Sequence, residues 1–530
     1  MKKRIHIIVA AAFCTLTSAC SFLDTSPQDF LSPDEYYRNG DELNSALLGV
    51  YSAMSTSPLY CNNMQGRDGL DADLGYNYYN LDNNSVGQYD VSSSDAKVTN
   101  YWRMMYLGIS RANMLLEHID DADADEAVKR QVRGEALFLR AYYHFMLVVR
   151  FGDIPIMTKA VHSAAKEELQ VVQSSREAVY EQILQDLDEA VQLLPDASEV
   201  SCGARASKSA AYGIMARVCL NAAGYPLYKE GMYAKAREAA EKVIATGFHE
   251  LNPSYQQVFI NLIQDIYDIK ECIFEVDFWG TDTGTYTTVA GMVGRNNGVY
   301  FGNSALADEV GISIGCLRAT PYYYDLFEEG DLRRDWTIAD YQLDATTGEV
   351  IEAAPIIWNR CCGKFRRSYE LNAPKAKDKT STNFPILRYS DVLLMYAEAV
   401  ACDPDDNDPT HIALAYEYIN QVRRRGFGLD ILSPSAVDIP NEGKFFILET
   451  VKDERARELG YELTRKDDIV RWGEFYIRMK AVGATVPSSS ATYASYANAY
   501  FSNVETRDFV WPIPAYEIGV NRNLKQNQGW

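Results

Sequence analysis

Gly134-Glu135-Ala136-Leu137-Phe138-Leu139-Arg140-Ala141-Tyr142-Tyr143-His144-Phe145-Met146-Leu147 decides the fold class. Apolar residues are so dense across 127–150 that a helix here must be buried nearly all round. It stops before Phe151-Gly152-Asp153-Ile154-Pro155, where Gly and Pro break the pattern. Upstream, Trp102, Met105, Ile109, Ala112, Leu115 and Leu116 recur every three or four residues, the period of a helix with one apolar face. Downstream, Ser174 and Glu177 have the spacing of a capping box. Val179, Ile183, Leu187, Ala190, Val191 and Leu194 then make one stripe, ended by Pro195. Further helices are expected at about 206–223 and 232–246. Helix pairs at this spacing suggest tetratricopeptide-like units, with a plain bundle as the alternative.

Outside this run the pattern alternates between regular and irregular. Ser32-Pro33-Asp34-Glu35 is a helix start, with helices expected at 33–38 and 41–56. Residues 57–98 are rich in Asn, Asp, Gly, Ser and Tyr and lack a sustained period. A loop this long in a compact domain is functional or disordered, and its tyrosines argue against disorder. Residues 250–385 also lose the helical period, except that Ile273 to Phe278 alternates like a strand and Pro321 to Glu328 suits a short helix. Helices return at 388–402, 410–425, 444–460 and about 466–481. The stretch 484–510 reads as loop, and Trp511-Pro512-Ile513-Pro514 as extended chain, since two prolines forbid a helix.

Composition narrows the class of function. The 530 residues are 47% hydrophobic and 23% charged, enough to bury a large core. A formal charge of −22 repels phosphate backbones, which argues against nucleic acid as a partner. The 36 tyrosines outnumber Phe and Trp together. Tyrosine suits packing with one wet edge and surfaces that stack sugars. Lys2, Lys3 and Arg4, the apolar Ile7 to Phe13 and the small residues before Cys20 read as an export signal. No later stretch reaches ~18 uncharged apolar residues. Beyond Cys14 and Cys20 the eight cysteines permit disulfides in an exported chain, but they form no C-x-x-C pair and no zinc pattern.

The chain contains no H-E-x-x-H, G-x-S-x-G, P-loop or G-x-G-x-x-G motif. Asp121 to Asp125 mimics the start of a calcium loop but lacks its glycine, and Val132 stands where the bidentate Glu belongs. It reads as a solvated turn. His144, among apolar helix residues, reads as a satisfied core histidine. Arg140, Arg388, Asp391, Glu398, Glu454, Arg455, Asp468 and Arg471 are charges inside buried helical patterns, so they read as structural ion pairs.

The order of motifs resembles the SusD/RagB family of outer-membrane lipoproteins. The matching pieces include Cys20-Ser21-Phe22-Leu23-Asp24, Arg111-Ala112-Asn113, Gly134 to Ala141, Phe151 to Pro155, Pro385 through Ala399, Ile419 through Arg425, Glu454-Arg455, Asp468 through Gly473, and a tail with Ile513-Pro514, Asn521, Asn523 and Gln526-Asn527. The lipobox departs from the family pattern at Thr17. The resemblance implies a mostly α fold: a tetratricopeptide-like helix-pair scaffold, and a loop-rich, irregular ligand-binding half with minor β-structure. Residues 1–19 would be a lipoprotein signal peptide, Cys20 the lipidated residue and 20–32 a tether. One SusD-like domain would fill 33–530, with scaffold at about 33–56, 99–250 and 386–481 and binding regions at about 57–98, 251–385 and 484–510. The implied function is a non-catalytic, surface-exposed protein, needing no cofactor. It would capture glycans and deliver them to a SusC-like TonB-dependent transporter. A peptide-binding RagB-like importer subunit and an all-α glycan-degrading enzyme are the alternatives.

A sugar site needs aromatic faces, with amides, carboxylates or arginine for the hydroxyls. Two loop segments supply them. One holds Asp73, Tyr76, Asn77, Tyr78, Tyr79, Asn80 and Asp82. The other runs from Trp279 through Tyr286, Arg295, Asn296 and Asn297 to Tyr300. The family pattern points to Tyr78 or Tyr79 in the first and to Tyr286 and Tyr300 in the second. The expected ligand-binding residues are Tyr78, Tyr79, Asn80, Tyr286, Asn296 and Tyr300.

Overall fold

A computed structural model describes residues 36–79, 85–163, 165–280 and 290–530. The signal, Cys20, the tether, Asn80, Asp82 and Tyr286 lie outside the described residues. About 50% of the chain is helical and about 7% is strand, so the fold is mostly α with minor β.

Six helices follow the expected stripes. They are α1 Gly40–Tyr51, α2 Ala96–His118, α3 Glu126–Phe151, α4 Arg176–Leu193, α5 Lys208–Ala223 and α6 Met232–Ile244. Side-chain oxygens of Asn39, Asp95, Ser175 and Ser207 take up free N–H groups at four of their starts. The cap of α4 is Ser175, one place later than expected; Ser174 instead pairs with Ile154 in a two-residue ladder. On α3, every residue from Gly134 to Phe151 except Val149 is buried. A methyl at Gly134 would stand 2.9 Å from Leu193 Cβ, so only glycine lets α4 approach this closely.

Each helix packs on the next: α2 on α3, α3 on α4, α4 on α5 and α5 on α6. Short connections join α2 to α3 and α5 to α6, as expected of stacked helix pairs. Further along come α7 Tyr255–Ile263, α8 Tyr389–Cys402, α9 Pro409–Gly426 and α10 Lys444–Leu459. Helix α8 returns to pack on α6 and carries α9 and α10 with it. The C-terminal part holds α11 Arg465–Arg471, α12 Phe475–Gly483 and α13 Thr492–Ser502. One helix was expected at 466–481; Gly473, at φ +75°, breaks it into α11 and α12. Two further helices correct the reading. Helix α7 lies in the region read as irregular, and α13 lies in the stretch read as loop.

The strands are short: β1 Gly75–Asn77, β2 Cys272–Val276, β3 Leu317–Ala319, β4 Tyr341–Leu343, β5 Val350–Glu352 and β6 Phe384–Arg388. The antiparallel pair β2–β6 sets Cys272 opposite Arg388 and Val276 opposite Phe384. The irregular segment between them therefore leaves and rejoins the scaffold at one place. The antiparallel pair β1–β3 ties the first long loop to this second one, with Tyr76 opposite Arg318.

All eight interior charges singled out in the sequence are paired. Arg388 donates to Glu271 and Glu458 at 2.8 Å and to Glu462 at 2.7 Å. Arg455 links Asp391 at 2.6 Å to Asp468 at 2.9 Å, and Arg471 links Glu398 to Asp468. Arg140 grips Asp186 with two bonds, and Glu454 takes Arg333 at 2.6 Å. Burial alone would raise the Asp391 and Glu454 carboxyls. The arginines win and hold both at about 2, Arg455 and Arg217 around the first and Arg333, Arg457 and Arg423 around the second. His144 is a satisfied core residue as expected. It takes the Met157 N–H on Nε2 and gives Nδ1–H to the Arg140 carbonyl, and burial pushes it down to about 4. The eight described cysteines are all unpaired thiols. No helix among the described residues is long and apolar enough to cross a membrane.

Candidate ligand-binding site

The first long loop is held from below. Asp73 accepts two bonds from Arg465, at 2.7 and 2.8 Å, which pins the loop to α11. Thr320 Oγ1 donates to the Asp73 carbonyl, and Thr320 N–H to that of Leu74. Gly75 follows. A methyl there would meet the Arg318 carbonyl, a Leu317 methyl and the Tyr461 ring, each at 2.9 Å. Glycine is required because β1 lies this close to β3. Tyr76 then points inward, fully buried against Trp358, and donates to its carbonyl at 2.6 Å. Tyr78 stands just past the end of β1, where the chain leaves the ladder, and is only partly buried.

At that exit four side chains from four segments form a row. The Tyr78 ring lies 4.6 Å from that of Tyr496 on α13, at an interplanar angle of 33°. The Arg318 guanidinium, on β3, sits 4.5 Å from the centroid of Tyr78 and 5.9 Å from that of Tyr300. Tyr300 is 50% exposed. Burial raises the Tyr78 phenol above its ordinary value, against the pull of Arg318, so it stays a neutral donor at physiological pH. Tyr79 is 42% exposed and carries the Arg67 guanidinium 4.2 Å above its ring.

Beside Tyr300 and Arg318 opens a cavity of about 310 Å³, lined also by β4 and by Asn359, Arg360 and Cys361. Its walls mix tyrosine, arginine and amide groups and include no Asp or Glu. A larger cavity, about 500 Å³, lies on the scaffold between α3, α4, α5 and the C-terminal tail. There Tyr180 is buried and the Tyr225 ring is packed on Phe509 at 4.9 Å, so the aromatic faces are already taken. The smaller cavity, with the half-exposed Tyr300 ring beside it, is the better candidate.

The structure therefore brings Tyr78 and Tyr300 together, with Tyr79 on the flank. It removes Asn296, which is fully buried and gives both its N–H bonds to Asn62, at 3.0 Å. Asn297, Asp73, Asn77 and Tyr76 are likewise interior, and Arg295 pairs with Asp378 at 2.9 Å. Trp279 is 52% exposed. Arg318, Arg360 and Tyr496 were missed. Tyr493, Ala497, Tyr500 and Phe501 make a helical stripe, which in a Ser- and Ala-rich stretch was the available signal for α13 and hence for Tyr496.

Comparison with known proteins gives two family matches. One, described as starch-binding and associating with the outer membrane, covers residues 21–220. The other, the SusD family itself, covers 359–530. The chain belongs to the SusD/RagB family. SusD-like protein P2 of Formosa agariphila is 26% identical over 99% of both chains. The starch-binding protein SusD of Bacteroides thetaiotaomicron is 24% identical over 99% of this chain and 98% of its own. The crystal structure of a SusD homologue from Bacteroides thetaiotaomicron superposes with a TM-score of 0.85 at 28% identity, covering 94% of this chain and 98% of that one.

Proposed function

We propose that this SusD/RagB member is a non-catalytic, lipid-anchored protein of the outer-membrane surface. It captures glycans at the Tyr78–Arg318–Tyr300 face and delivers them to a SusC-like TonB-dependent transporter. Cys20 carries the lipid. The observation that supports glycan capture is the row itself. The half-exposed Tyr300 ring meets the apolar side of a sugar, while the guanidinium and phenol groups beside it meet its hydroxyls. The anchoring and delivery steps are carried from the family, whose relatives include a starch-binding protein and a profile described as associating with the outer membrane. The cavity walls offer no pair of carboxylates to act as acid and base, which favours capture over cleavage.

The test is equilibrium binding of the purified protein to oligosaccharides and peptides, alongside a reducing-end assay on the same polysaccharides. Glycan binding without release of new ends is expected. Peptide binding in its place would move the protein to the importer class, and steady release of ends would make it an enzyme.

A further inference from the structure

Resting on the glycan-binding reading of this face, we infer that the bound glycan is anionic, carrying a uronate carboxylate or a sulfate ester, and that Arg318 and Arg360 receive that group. Both arginines line the same 310 Å³ cavity, and no Asp or Glu lines it with them. That is unusual for this chain, in which 73 acidic residues face 51 basic ones. The interior arginines of the scaffold pair with carboxylates. Among the described residues, Arg318 and Arg360 pair with none.

Both guanidiniums are nonetheless fixed. Arg318 gives one Nη1–H to the Asn359 carbonyl and lies against the Tyr78 and Tyr300 rings. Arg360 gives Nε–H to the Ala354 carbonyl at 2.9 Å and stacks 5.3 Å from the centroid of Tyr324. Each guanidinium has five N–H donors. The remaining Nη donors make no bond to the described residues, and the buried Nε–H of Arg318 finds no acceptor. Two held cations in one half-buried cavity repel each other, and neutral hydroxyls do not cancel their charge. A carboxylate or sulfate does, and it also accepts the forked N–H groups. Arg67 repeats the arrangement on the flank, stacked on Tyr79 with its own buried Nε unpartnered. The local charge thus opposes the net negative charge of the chain and selects for negative charge at this place.

The experiment compares charged polysaccharides with neutral partners of the same backbone, by titration calorimetry on the full mature protein. One arm sets polygalacturonate against its methyl ester, the other a sulfated carrageenan against its desulfated form. The expected result is that the charged member of at least one arm binds about tenfold tighter or more, in line with charge-assisted hydrogen bonds. The double variant Arg318→Gln, Arg360→Gln should lose that preference, the charged member falling in affinity about tenfold further than the neutral one. Preference in the first arm assigns a uronate, in the second a sulfate ester. Equal or tighter binding of the neutral members overturns the anionic assignment and leaves glycan capture standing. No binding of any polysaccharide overturns both. The wild-type comparison decides the matter even if the double variant does not fold.

Discussion

Two sets of arginines in this molecule live in opposite surroundings. Around α8, α10 and α11, Arg388, Arg333, Arg455 and Arg471 are buried and each holds at least two carboxylates. In the 310 Å³ cavity, Arg318 and Arg360 rest on tyrosine rings and backbone carbonyls, with no carboxylate paired to either. The same residue type is neutralised by carboxylates in one place and left without a counter-charge in the other. What separates the roles is whether the chain supplies its own counter-charge.

The comparison breaks most sharply on stability. Arg388→Met leaves Glu271, Glu458 and Glu462 buried without their shared cation, and should cost ~3–5 kcal/mol in denaturant unfolding. Arg318→Gln should cost ~1 kcal/mol or less, because it strands no carboxylate. If the two variants lose equal stability, the distinction between the arginine sets fails.

The next largest effect is on pH. Glu275 on β2 is buried beside Asp277; desolvation first, and that charge second, push its carboxyl up to about 8 from 4.5. In the unfolded chain it ionises near 4.5, so folding takes up a proton between 4.5 and 8. Stability from this group falls as pH rises through that window and is level above it. Glu275→Gln should remove that slope and raise stability at pH 8 by ~2–4 kcal/mol, with little change at pH 4.5. Asp391 and Glu454 act in the opposite sense. Their folded values of about 2 lie below 3.8 and 4.5, so their contribution is whole above pH 4.5 and lost as pH falls toward 2. Unfolding midpoints measured from pH 2 to 9 check both slopes.

Smaller effects should appear at the binding face. Gly75→Ala forces β1 away from β3, and is expected to cost ~1–3 kcal/mol of stability and to weaken glycan binding by shifting Tyr78 off Arg318. Tyr300→Ala should cost ~1–2 kcal/mol of binding, with an unchanged unfolding midpoint, since half of its surface is already in solvent. A loss of stability as large as the loss of binding would assign Tyr300 to packing.

The scaffold was readable because its signals are long and redundant. The stripe on α3 runs through several turns, and charges such as Asp391 and Arg471 declare themselves by sitting where apolar residues belong. The site was readable only in part. Tyr78 and Tyr300 stand out as aromatics in loops, but loop composition does not say which polar residues turn inward, and Asn296, expected to bind ligand, is one that does. Arg318 lies on a three-residue strand with no periodicity to mark it, and it meets Tyr78 only through the pairing of β1 with β3. Helix α7, nine residues long, was hidden by the irregular chain around it, although Tyr255, Val258, Phe259, Leu262 and Ile263 share one face.

The most direct measurement is glycan affinity of the wild-type protein against the combined variant Tyr78→Ala, Arg318→Gln, Tyr300→Ala, with unfolding midpoints recorded for both. Binding lost at least a hundredfold, with midpoints within a few degrees, is the predicted result. Undiminished affinity in a folded triple variant would show that the glycan is held elsewhere on the molecule.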